Sequence, residues 1–222
     1  MARQGGAPKA VLGWIMAMLV VPALASNPAP APEEAVTGST LSEDADFAAH
    51  WVLDADDNRG QPFAIVDKKR ARLYVFAASG RLVGESTVLL GLSVGDTSID
   101  GIASRTPASL VPAERTTPAG RFASEPGHNA NGEDIVWFDY DASLAIHRLR
   151  PSPADQHRDE RINSARADDK RISYGCVVVP VAFYDTVVRP LLGRQRGVVY
   201  VLPETRPVSA MLRSDRLSLR AP

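Results

Sequence analysis

Cysteine is almost absent from this 222-residue chain, which has only Cys176. A lone cysteine closes no internal disulfide, so it is a buried inert thiol, an intermolecular link or a reactive group. Charge of one sign is missing too, since 25 Lys and Arg stand against 26 Asp and Glu. That balance gives no concentrated basic surface of the kind nucleic-acid backbones require, so nucleic acid is not an expected partner. The four histidines, His50, His128, His147 and His157, show no metal-ligand spacing. Asp139, Asp141, Asp168 and Asp169 offer carboxylates for a sugar-cleaving pair. Acidic pairs in loops are common as solvated charges, which is the alternative reading. Long apolar runs and internal repeats are lacking beyond the first 25 residues.

What is present begins with an export pattern. Arg3 and Lys9 precede the apolar run 11–21, and Ala23-Leu24-Ala25 fits small-residue cleavage, so residues 1–25 read as a signal peptide. The run is short for a bilayer span of roughly 20 residues. Losing Arg3 and Lys9 takes the basic count from 25 to 23 against 26 acids, about −3 net. Pro and Ala alternate over residues 28–32, and residues 26–41 read as a polyproline-like tether. Residues 42–59 read as a short helix and loop, with Ser42 as cap and Phe47 and Trp51 sharing a face. Residues 60–203 carry β-prone runs at 63–66, 73–76, 88–91, 135–138, 144–147 and 198–202. A turn-like stretch falls at Glu125-Pro126-Gly127-His128-Asn129. Pro180 suits a helix start, Phe183, Val187 and Leu191 a buried stripe, and Pro190 an end or kink. Residues 150–171 are densely charged without apolar periodicity, and read as an exposed loop or short solvated helix. Residues 204–222 read as a basic irregular tail.

Chemistry concentrates at two places. His147 ends a strand whose Leu144 and Ile146 face the other way. Cys176 follows Gly175, whose missing Cβ permits a sharp turn or close substrate approach. An imidazole can take the thiol proton, hold the thiolate as an ion pair, and later protonate a leaving amine. A helix start just after Cys176 would favour the thiolate. Backbone amides at Tyr174, Gly175 and Cys176 are candidate oxyanion donors. Ser173 is a candidate support by hydrogen bonding. Tyr174 either contacts substrate or packs beneath the loop. Arg148, Arg150 and Arg171 either meet substrate carboxylates or are solvated charges.

Four pieces in order give the chain a family resemblance. Phe63-Ala64-Ile65-Val66 with Arg72-Leu73-Tyr74-Val75-Phe76 resembles an opening hairpin. Thr117-Pro118-Ala119-Gly120-Arg121-Phe122 resembles a TPxGxF segment, His147 a strand-end motif histidine, and Ser173-Tyr174-Gly175-Cys176 an S-x-G-C signature. Together, over roughly residues 60–203, they resemble the L,D-transpeptidase (YkuD-like) catalytic domain. The resemblance implies a mainly β, sandwich-type single domain with helical additions, and neither a metal nor an organic cofactor. It also implies an exported enzyme of the periplasm or cell-wall space. Cys176 would attack the stem-peptide carbonyl between an L-centre diamino acid and a terminal D-alanine, with His147 as base. An amine on another stem or on a wall-attached acceptor protein would resolve the thioester. Water as acceptor would make it an L,D-carboxypeptidase, and loss of activity would leave a wall-binding module. The chain departs from the family pattern in Tyr174, often His, in Val178, often Arg or Asn, and in Arg148, where Gly is common. The 28 residues between His147 and Cys176 also form a longer interval than is usual.

Overall fold

A computed structural model describes residues 41–99, 101–106 and 109–218, without the side chains of 103 and 214–218. The export segment, nearly all of the tether and the last four residues lie outside the described part. Among the described residues no helix is long and apolar enough to cross a membrane.

Ten strands carry the fold: β1 (Phe63–Asp67), β2 (Arg72–Phe76), β3 (Leu82–Thr87), β4 (Leu90–Gly91), β5 (Gly120–His128), β6 (Asp134–Asp139), β7 (Leu144–Arg148), β8 (Arg171–Ser173), β9 (Val177–Val179) and β10 (Gly197–Val201). Eight form one sheet in the order β3-β2-β1-β10-β5-β6-β7-β9, and β4 pairs with β8. The chain leaving the β3 edge reaches the β9 edge at once. There Leu89 and Val178 exchange both amide hydrogen bonds, each 2.9 Å. The sheet therefore nearly closes on itself. The fold is mainly β with helical additions, as the sequence implied.

Alternation along the central strands explains the core. Phe63, Ile65, Tyr74, Phe76, Val198 and Tyr200 face one layer, while Ala64, Val66, Leu73, Val75, Val199 and Val201 face the other. Both faces of these strands are covered, which is why they read as unbroken apolar runs rather than alternating ones. The first layer is covered by α1 (Glu43–Asp54) and α5 (Val208–Ser218). Ser42 Oγ accepts the Ala45 amide at 3.2 Å and caps α1 as expected. The buried face of α1 is Ala45, Ala48, Ala49 and Val52, whose small side chains let the helix lie close to the sheet. Phe47 stays 48% exposed, so the Phe47–Trp51 pair is not the buried face.

Three further expectations are corrected. The 204–222 tail is helical from Val208 to Ser218, because Val208, Met211 and Leu212 form an i, i+3, i+4 stripe buried on the first layer. Residues Glu125–His128 belong to β5, paired with β6, and the turn falls at Asn129–Gly132, where Asn129 Oδ1 accepts the Asn131 amide at 2.7 Å. Pro126 is tolerated because β10 covers β5 only as far as Ser124, leaving one paired neighbour beyond it. Finally, α3 (Val181–Phe183) widens into a π-helical turn (Tyr184–Val188) before α4 (Arg189–Leu191). The fully buried stripe is Tyr184, Val188 and Leu192, one residue beyond the expected Phe183, Val187 and Leu191, which are half-buried. Pro190 lies between an irregular π turn and the end of the helix at Leu191, in keeping with an end or kink there.

Candidate active site

The pairing of β7 with β9 brings the two chemical residues together. The strands are parallel, with Ile146 opposite Val177 and His147 opposite Val178. Cys176, two residues before Val178, falls on the His147 side of the sheet, because side chains alternate. Both residues line one cavity of about 220 Å³, with Ser143, Tyr174, Arg105 and Arg158 among its walls. That volume suits one or two amino-acid residues of a ligand.

The turn before Cys176 is fixed by glycine and by a buried threonine. Gly175 has φ +132°, and a Cβ there would stand 2.8 Å from both the Thr116 carbonyl oxygen and Leu144 Cδ2. Thr117, fully buried, donates its hydroxyl to the Gly175 carbonyl at 2.9 Å and accepts the Gly91 amide at 2.9 Å. Ser173 Oγ donates to the Cys176 carbonyl at 2.7 Å and accepts the Gly175 amide at 3.1 Å. Ser173 thus bridges the two ends of the turn that carries Cys176. The Gly175 amide is committed to that bond and is removed from the expected oxyanion donors.

A buried charge cluster anchors this turn from behind. Lys68 Nζ donates to the Thr117 carbonyl at 2.9 Å and pairs with Asp96 at 2.9 Å. Arg171 pairs with Glu204 and donates to the Lys68 carbonyl at 3.1 Å. Burial alone would raise the Asp96 carboxyl, but bonds from Lys68, Thr205 and the Glu204 and Thr205 amides hold it well below the usual range.

Burial disfavours the charged form of both members of the pair. Burial pushes the Cys176 thiol up, while the Ala145 amide and Arg150 oppose this more weakly. The thiol donates to the Ser143 carbonyl across 3.6 Å. That carbonyl is set by a turn in which Ser143 takes φ +57°, an uncommon value outside glycine. Burial lowers His147 to about 4, against a backbone hydrogen bond to Arg148 that favours its charge. His147 Nδ1 lies 2.8 Å from the Arg148 carbonyl oxygen, which only accepts. The neutral imidazole therefore carries its proton on Nδ1 and keeps Nε2 as a base. Burial of both groups thus works against the expected thiolate–imidazolium pair at rest. The expected help from a helix dipole is also removed, because β9 stands between Cys176 and α3.

Arg148 and Arg171 do not line the cavity. Arg148 points away from His147 by strand alternation, pairs with Asp134 at 2.8 Å and Asp185 at 2.6 Å, and stacks 4.1 Å over the Tyr184 ring. Arg171 is consumed by the cluster behind the turn. Tyr174 does line the cavity, 37% exposed, with the Arg115 guanidinium 4.5 Å over its ring. The charged 150–171 segment is not merely solvated. It contains α2 (Arg158–Asn163), whose Ile162 is buried against Leu89 and Val178. Thr117 and Arg158 were missed as site residues. Thr117 was legible only as part of a turn motif, and Arg158 was one arginine in a charged run. Among the described residues no His, Cys, Asp or Glu group is arranged to hold a metal.

No protein-family model matches the chain, and no curated protein matches it. Solved structures similar to it include an L,D-transpeptidase (residues 123–326) from Xylanimonas cellulosilytica DSM 15894, at 19% identity and TM-score 0.38, over 64% of this chain and 60% of that one. The Ldtfm–avibactam carbamoyl enzyme is similar at 17% identity and TM-score 0.37, over 65% of this chain and 49% of that one. An L,D-transpeptidase from Mycobacterium smegmatis is similar at 13% and 0.36, over 64% and 58%. The chain thus spans about half to three fifths of the length of these structures.

Proposed function

We propose that the protein is an exported cysteine acyltransferase acting on peptidoglycan stem peptides, an L,D-transpeptidase in reaction type. The observation that supports this reading is a thiol and an imidazole on one small cavity, beside a turn that only glycine fits.

In this mechanism the donor carbonyl meets Cys176 before any charge is formed. His147 Nε2 takes the thiol proton as the sulfur–carbon bond forms, so charge separation and attack are coupled. The Cys176 amide is the proposed donor to the oxyanion. Collapse breaks the carbon–nitrogen bond to D-alanine, and the imidazolium returns its proton to the leaving amine. A thioester remains on Cys176. An acceptor amine attacks it, loses a proton to His147 and expels the sulfur, which recovers that proton. Water in place of the amine gives hydrolysis. A neutral resting pair suits an enzyme whose thiol must survive an oxidising compartment, because thiols oxidise through the thiolate.

Mass spectrometry of the mature protein incubated with a D-alanine-terminated stem peptide tests this. An acyl adduct on Cys176 is expected, partitioning to amine and water products. A folded protein that releases no D-alanine, or release that survives Cys176→Ala, overturns it.

A further inference from the structure

We propose that the 150–171 segment builds a carboxylate-binding subsite beside Cys176, with Arg158 as the residue that holds the anion.

Two arginines line the cavity, Arg105 and Arg158. Arg105 is neutralised by Glu114 at 2.8 Å and also donates to the Ser109 carbonyl at 2.7 Å. Arg158 has no such partner. Its Nε donates to the amide oxygen of Gln156 at 2.7 Å, and among the described residues no carboxylate lies within ion-pair distance of it. The side chain is half-buried, so its positive charge is neither freely hydrated nor paired. A guanidinium in that condition is completed by a planar anion, which it meets with two parallel N–H donors. The charge is close to the chemistry, since Arg158 is one of the cations that disfavour protonation of His147.

The segment is seated to deliver this arginine. Ile162, on the same short helix, is buried against Val178 and Leu89. Val178 itself lines the cavity. A polar side chain at 178 would remove part of the apolar seat of Ile162, so the valine and the segment fit one another. The valine gives up a polar group on the strand, and the helix brings a cation from the other side.

Only the identity of the anion rests on the acyl-transfer reading. There it is the α-carboxylate of the departing D-alanine, which would make the enzyme selective for stems with a free carboxyl end.

The test is to compare alkylation of Cys176 by iodoacetate, an anion, and by iodoacetamide, its neutral counterpart. In Arg158→Gln the iodoacetate-to-iodoacetamide rate ratio should fall at least about tenfold, as expected for losing a charge-assisted hydrogen bond. Iodoacetamide alone should change little. Arg158→Lys should keep part of the ratio, and Arg166→Gln, an exposed arginine of the same segment, should keep all of it. An unchanged ratio in Arg158→Gln, or an equal slowing with both reagents, overturns the subsite. In parallel, D-alanine release is compared with release of D-alaninamide from the amidated stem. Selective loss with the free acid in Arg158→Gln supports the assignment of the anion, and equal loss with both refutes that assignment. If the wild-type protein releases neither, the acyl-transfer reading fails while the alkylation ratio still decides the subsite.

Discussion

Replacing Gly175 with alanine measures how tightly the turn before the nucleophile is built. Two costs combine. The first is backbone: φ +132° lies in a region that side chains rarely adopt, costing about 1–3 kcal/mol. The second is packing: the new methyl would stand 2.8 Å from a backbone oxygen and 2.8 Å from Leu144 Cδ2. Leu144 is buried in the core and the oxygen belongs to the chain entering Thr117, so neither yields freely. Overpacking of this kind costs about 1–3 kcal/mol more. Gly132→Ala separates the two costs, because Gly132 has φ +77° and nothing within 4 Å of the place its methyl would take. Urea denaturation should show Gly175→Ala losing about 2–5 kcal/mol and Gly132→Ala about 1 kcal/mol. Relief of the clash must also move the Gly175 carbonyl off Thr117, so Cys176 alkylation should change in the first variant and not in the second. Equal stability losses with unchanged alkylation in both would refute the claim that Gly175 is held by contact.

Three further outcomes follow from the same geometry. Because burial lowers His147 to about 4, kcat/KM should keep its neutral base down to that pH, with an acid limb near 4 rather than near the ordinary ~6.5. The same shift means the unfolded chain binds the extra proton between those values, so stability should fall as pH drops from 6.5 toward 4, and His147→Gln should flatten that slope in urea titrations. Thr117→Val removes a hydroxyl that serves both the Gly91 amide and the Gly175 carbonyl. It should cost about 1–3 kcal/mol in urea denaturation and alter Cys176 alkylation.

Much of the architecture was legible because local pattern and tertiary demand agree. The β1, β2 and β10 runs are apolar enough to be buried on both faces, β6 and β7 bury their apolar residues, and Ser42 is a residue type suited to cap α1. His147 was readable as pocket-facing because Leu144 and Ile146 claim the opposite side of their strand. The failures are places where the decisive partner lies far along the chain. Arg148 reads as a substrate cation until Asp134 and Asp185 arrive from two other elements. Arg171 does so until Glu204 arrives from 33 residues away. The resting ionisation of Cys176 and His147 depends on burial, which no motif encodes. Arg158 was hidden for the opposite reason, since a charged run gives no sign of which member will lack a counterion.

The near-closure of the sheet has a consequence for motion. A ring of strands opens first at its narrowest joint, where the fewest hydrogen bonds must break. Here the clasp is the Leu89–Val178 pair with its two bonds, and it lies two residues from the sulfur. Opening of the sheet at that joint would therefore be felt at the nucleophile.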